Sequence, residues 1–156
     1  MTVSITNLEQ HHNKIEMIIL SILNEKVREE EVSRIIFGPK TESEENEGFS
    51  FFRVIYEDSI VKTLGKIYKV SYAIRITSNV DNGDIELAKQ ESVRLNSWVA
   101  DRIFKDKEFN NLDIVNDVNL TNILTSYPLE KDKDNLISSG IRIVVDFDLD
   151  FQCEKL

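Results

Sequence analysis

The amino-acid sequence predicts an α+β fold: an antiparallel β-sheet with two α-helices packed on one face, in a single domain over residues 1–156. Three observations lead there. Apolar residues recur at three- and four-residue spacing in two separate segments, the mark of helices with one buried face. Other segments alternate apolar and polar residues strictly, as half-buried strands do. The chain has 156 residues, 41% hydrophobic and 30% charged, which suits one soluble core and excludes collagenous, disulfide-scaffolded and fully disordered chains. An antiparallel sheet carrying both helices on one face buries the helical stripes and the strands' apolar faces together.

The five glycines and two prolines punctuate the elements. The first helix is expected over residues 8–23, where Leu8, Ile15, Ile19 and Ile22 form one stripe with Ile18 and Leu23 beside it and Asn7 stands at the cap position. Arg34-Ile35-Ile36-Phe37 reads as a short strand stopped by Gly38-Pro39, and the acidic residues 41–47 read as a mobile loop. Residues 48–56 are aromatic and β-branched on both parities, so this strand is expected to be covered on both faces or to lie at an assembly contact. The stretch through Leu64-Gly65 turns the chain back.

From Tyr68 the alternation is strict: Tyr68, Val70, Tyr72, Ile74 and Ile76 point one way, and Lys69, Ser71, Arg75 and Thr77 the other. Asp84 is placed to cap a second helix running to about Phe104, with Ile85, Ala88, Ser92, Leu95, Val99 and Ile103 on its buried stripe and Trp98 extending it. The last third alternates loosely through Leu112, Ile114, Val118 and Leu120, then strictly from Ile141 to Phe151. Residues 127–139 read as a long, mobile hairpin loop.

The 28 acidic residues outnumber the 19 basic ones, a net charge of −9 and the reverse of what a protein gripping phosphates carries. A passive relation to DNA is compatible with that sign. The lone Cys153 allows no intramolecular disulfide, the start of the chain has no secretion or transit pattern, and Ile18-Ile19-Leu20 is cut by Ser21, far short of the ~20 apolar residues of a membrane span. The compartment expected is the cytoplasm, with no membrane partner.

Asp146, Asp148 and Asp150 share one parity of the last strand. Three readings apply to them. They form a solvated face; or they hold divalent cations, with Asp113 and Asp117 converging, although no Gly-rich loop or basic cluster stands by to bind phosphate; or they face an aqueous channel or discourage edge pairing, a negative wall past which DNA slides without ion pairs. The adjacent His11 and His12 diverge by about 100° on a helix and read as surface or boundary residues rather than joint metal ligands. Cys153 continues an apolar face as a small hydrophobe, and Asn119-Leu120-Thr121 is an inert sequon without a signal peptide. No catalytic, metal or cofactor residues are assigned. Phe49, Phe51, Phe52 and Tyr56 are the candidate assembly contacts.

In the order and length of its elements from Leu8 to Phe151, and closest at Phe49-Ser50-Phe51-Phe52-Arg53-Val54 followed by Leu64-Gly65-Lys66-Ile67-Tyr68-Lys69-Val70-Ser71-Tyr72-Ala73-Ile74-Arg75-Ile76, the chain resembles the tail terminator, or tail completion, proteins of long-tailed bacteriophages and phage-tail-like bacteriocins. The resemblance implies a structural protein, not an enzyme: identical subunits, six in number, form a ring that caps the tail tube, ends its polymerisation and presents the head-joining surface. The implied partners are further copies of itself, the tail tube protein, and in a contractile tail the sheath, with head-completion proteins above and DNA only as passing cargo. The protein would be made in the bacterial cytoplasm and reside in the virion tail. A neck or head-completion protein of the same fold class, and a metal-dependent enzyme using Asp146, Asp148 and Asp150, are the alternatives.

Overall fold

A computed structural model describes residues 2–3, 5–38, 50–64, 67–81, 84–112, 115–120, 125–128 and 135–150, with side chains described over 10, 12–38, 50–57, 69–80, 84–112 and 137–146. The element order is β1 (Thr2–Val3), α1 (Ile5–Arg28), β2 (Ile35–Phe37), β3 (Ser50–Leu64), β4 (Ile67–Asp81), α2 (Ile85–Lys105), the short α3 (Lys107–Asn110), β5 (Val115–Leu120), β6 (Thr125–Pro128) and β7 (Asn135–Asp150). This is an α+β fold with its helices against the sheet.

Three long antiparallel strands make the frame, with β4 between β3 and β7. Phe52 pairs with Ser78, Ile74 with Ile143, and Tyr72 with Val145, so the even positions of β3 and β4 share a face with the odd positions of β7. Along the outer side of β7 lie three short strands in succession: β6 beside residues 135–138, β5 beside 141–145, and β1 beside 148–149. Along the outer side of β3 the described residues supply only β2, opposite Phe52, Arg53 and Val54. Both β1 and β2 run parallel to their neighbours. The sheet is therefore mixed, antiparallel except for β1 and β2, where the sequence pattern leads one to expect antiparallel strands throughout.

The helices cover one face. Ile15, Ile19, Ile22 and Leu23 of α1, Ala88, Leu95, Val99 and Ile103 of α2, and Phe109 of α3 pack with Phe52, Val54, Ile74, Ile76, Ile141, Ile143 and Val145 into one buried cluster. Each such aliphatic side chain removed from water contributes about 1.5–3 kcal/mol before entropy is charged against it. Asp84 caps α2, its carboxylate accepting from the amides of Glu86 at 3.1 Å and Leu87 at 3.3 Å, which satisfies two donors that the first turn cannot. One polar seam crosses this apolar layer. Ser92 donates to the carbonyl of Ser78 at 2.7 Å and lies 2.9 Å from the hydroxyl of Ser139, which itself donates to the Ser92 carbonyl at 2.8 Å. These paired hydroxyls let α2 sit directly on β4 and β7 without an orphaned buried group at Ser92 or Ser139.

Several boundaries differ from the sequence expectation, each for a physical reason. The helix α1 begins at Ile5, so Asn7 lies within its first turn and is not a cap. It also continues to Arg28 because its polar tail has partners: Glu25 is held by both Arg102 nitrogens, Nη2 at 2.6 Å and Nε at 2.9 Å, and Lys26 is buried against Trp98, 4.7 Å from the ring centre, with Glu29 and Glu31 on its ammonium. Ile85 is exposed rather than on the buried stripe, as are Glu86 and Leu87, and the buried stripe of α2 begins at Ala88. Residues 127–139 are not one loop: Tyr127 and Pro128 belong to β6, and β7 begins at Asn135. Ser138 and Ser139 look like loop residues, yet they pair with Asn79 and Ser78 and are buried. The acidic residues 41–47 lie outside the described residues.

Candidate functional site

The face of the sheet without helices carries Phe51, Arg53 and Glu57 of β3, Ser71, Ala73, Arg75, Thr77 and Asn79 of β4, and Gly140, Arg142 and Asp146 of β7. Its centre is an ion cluster. The two carboxylate oxygens of Glu57 receive Arg142 Nε at 2.7 Å and Arg75 Nη2 at 2.8 Å, joining three strands. Donation from Arg142, helped by the charge of Arg75, holds the Glu57 carboxyl below its usual range against the opposing effect of burial. Arg75 Nε is buried with no hydrogen-bond partner among the described residues. Arg53 is buried too, its guanidinium 5.7 Å from the Phe51 ring centre and donating to the Gly38 carbonyl at 2.8 Å. The strands approach closely at Gly140: an added Cβ would meet Thr77 Cγ2 at 3.0 Å and the Ile76 carbonyl at 3.1 Å, so these neighbours would have to give way.

Asp146 is half-buried on this same face, in register with Ser71. Asp148 and Asp150 continue β7 opposite Lys69 and Ile67, and their side chains lie outside the described residues, as does Asp113. Asp117 of β5 is in register with Val144. The face is thus not uniformly acidic. Arg53, Arg75, Arg142 and Lys69 share it, and Asp146, like the register positions of Asp148 and Asp150, lies toward the end where β7 pairs with the start of β4. Alternation in the sequence reveals which residues share a face but not which cations stand across the strands. Arg75 and Arg142 both sit at polar positions of alternating strands, so register is the signal that brings them to Glu57.

Of the expected assembly contacts, Phe51 and Phe52 are buried within the chain, on opposite sides of the sheet, and offer no surface. Phe49 lies outside the described residues. Tyr56 is 39% exposed, and the edge residue Phe37, which the sequence pattern does not single out, is 46% exposed. Phe37 pairs with Val54, two residues before Tyr56, so both aromatics lie along the β2–β3 edge. His12 tilts against Tyr56 and Tyr72 with ring centres 5.1 and 6.0 Å away, and its Nδ1 lies 3.2 Å from the Tyr72 hydroxyl, the donor being set by the imidazole tautomer. His12 Nε2 is 3.8 Å from Glu16. Burial and the nearby Glu16 charge push the Tyr72 hydroxyl up to about 12 and raise Tyr56 as well, so both phenols stay protonated at neutral pH. His11 and Cys153 are outside the described side chains.

Among the described residues no three His, Cys, Asp or Glu side chains converge on a point that could hold a metal ion. Glu57 is already engaged by two guanidiniums. No helix among the described residues is long and apolar enough to cross a membrane. Among the described residues the surface offers paired charges on one face and an aromatic strand edge at which β2 pairs with residues 52–54 of β3. No protein-family model matches the chain, and no curated protein matches it.

Proposed function

We propose that this chain is a structural subunit that assembles with copies of itself, as a tail terminator ring of a long-tailed phage or a phage-tail-like particle. One observation carries the assembly step. The sheet has two outer edges, β3 beyond Val54 on one side and β5 on the other, along which no further strand runs among the described residues. A subunit with two unlike open edges associates head to tail, and such contacts close into rings when the rotation permits.

The tail assignment rests on the resemblance in element order, together with an α+β fold in which the helices pack against a sheet. In this reading the ring caps the tube and meets the head-completion proteins above, with the sheath beside it in a contractile tail. The acidic end of the helix-free face, at Asp146, Asp148 and Asp150, is the part proposed to line the lumen, where DNA passes without ion pairs. The test is location. Gold label on a tagged chain is expected at the head-proximal tip of the tail tube in electron micrographs. Label at the distal tip, or particles that never contain the chain, would overturn the reading.

A further inference from the structure

Beyond Val54 the edge of β3 carries backbone groups that face away from β4. In an antiparallel pair, successive residues alternate between bonding the partner strand and facing away from it. Gly38 donates to the Val54 carbonyl at 2.9 Å and Phe52 donates to the Arg34 carbonyl at 3.1 Å, so positions 52 and 54 face outward and Tyr56 is the next to do so. The irregularity between Glu57 and Ile60 shifts the alternation, and residues 61 and 63 face outward beyond it.

The chain's own strand stops short of these groups. Gly38 adopts φ +92°, outside strand geometry, and its carbonyl accepts the Arg53 guanidinium at 2.8 Å. The next residue, Pro39, has no amide hydrogen to offer the ladder. Among the described residues, the amides and carbonyls of Tyr56, Val61 and Thr63 therefore face an edge beyond the end of β2, with the exposed residues Phe37 and Tyr56 beside it.

We propose that this edge takes β5 of a second copy of the chain, antiparallel, so that the sheet continues from subunit to subunit. The claim rests on the assembly reading above and specifies its contact. Direction supports it: β3 runs parallel to β7, and β5 runs antiparallel to β7. A copy related by rotation about an axis along the strands keeps its strand directions, and so presents β5 antiparallel to β3, the better-bonded pairing. Charge beyond the irregularity is compatible with it: residues 60–64 carry Lys62 alone and β5 carries Asp117 alone, while the acids of this edge, Glu57 and Asp58, precede Ile60. β6 is the poorer partner because Pro128 interrupts its donors.

The experiment uses the full chain alone, followed by sedimentation from dilute to concentrated solution. Val61→Pro removes an outward amide of β3 and leaves the β4 ladder intact. Val118→Pro does the same on the outer side of β5, since Asp117 and Asn119 are the residues of that strand that bond β7. Wild-type protein is expected as a multi-copy assembly in which the amides of Tyr56, Val61 and Thr63 exchange slowly, and each variant as a folded monomer. Mixing the two variants is expected to give a species of twice the monomer mass, because each supplies the edge the other lacks and neither can extend further. A misfolded variant could not complement in this way. Assembly of either variant at the wild-type mass, or a mixture that stays monomeric, overturns the β3–β5 contact while leaving self-assembly standing. A monomeric wild type at every concentration overturns both.

Discussion

On the helix-covered face of the sheet, Phe52, Ile74 and Ile143 are taken out of water by apolar side chains from α1 and α2, whereas the opposite face holds Arg53, Arg75 and Arg142 in place through Glu57, a backbone carbonyl and an aromatic ring. The first arrangement draws on the hydrophobic effect, which involves no charges to be screened or protonated. The second is electrostatic and directional, and it responds to salt and to protonation. Stability resides mainly in the covered face, and the salt- and pH-responsive surface in the other.

The largest effect expected is on the covered face. Phe52→Ala should destabilise by about 3–5 kcal/mol, since the residue is fully buried in the core cluster, and urea denaturation will measure it. A loss under about 1 kcal/mol would mean that this face is not the core. Ser92→Ala probes the seam between α2 and the sheet, and is expected to cost about 1–3 kcal/mol by leaving the Ser78 carbonyl and the Ser139 hydroxyl short of a partner. Asp84→Ala should cost about 1 kcal/mol through the lost cap of α2, with Asp84→Asn close to neutral in thermal melts.

Smallest in size, and most telling for the comparison, is Glu57→Gln. Its cluster is partly solvated, so the change should cost under about 1 kcal/mol, and the difference from wild type should shrink in high salt. Acid sharpens the contrast further. Glu57, held by Arg142 and Arg75, Glu25, held by Arg102, and Glu31, held by Lys26, all have folded values below the ordinary 4.5. Their contribution is therefore complete above about 4.5 and is lost as the pH falls through the lowered folded values. Glu57→Gln should flatten that part of the stability profile, and Phe52→Ala should shift the whole curve without changing its shape.

The elements were legible wherever one periodicity dominated. The stripes of α1 and α2, the cap at Asp84, the short strand at Ile35 and the alternation from Tyr68 and from Ile141 all follow from side-chain spacing against a single buried face. What escaped the pattern depends on partners far along the chain. The polar end of α1 stays helical because Arg102 and Trp98 meet Glu25 and Lys26, and Ser138 and Ser139 enter β7 because β4 and Ser92 bond to them. The same holds for the surface: the double apolar parity of Phe51 and Phe52 reflects burial on both sides of the sheet, while Phe37 and Tyr56 stand exposed where β2 ends. The acidic parity of β7 was visible, but the arginines and Lys69 that share its face come from cross-strand register.

Mass measurement of the purified chain, imaged in parallel by negative-stain electron microscopy, tests the self-assembly on which the proposed role depends. A ring-forming subunit is expected as a single closed species of uniform mass, several times that of the 156-residue chain, seen as rings. A chain that remains monomeric up to its solubility limit, with no rings on the grid, would contradict it.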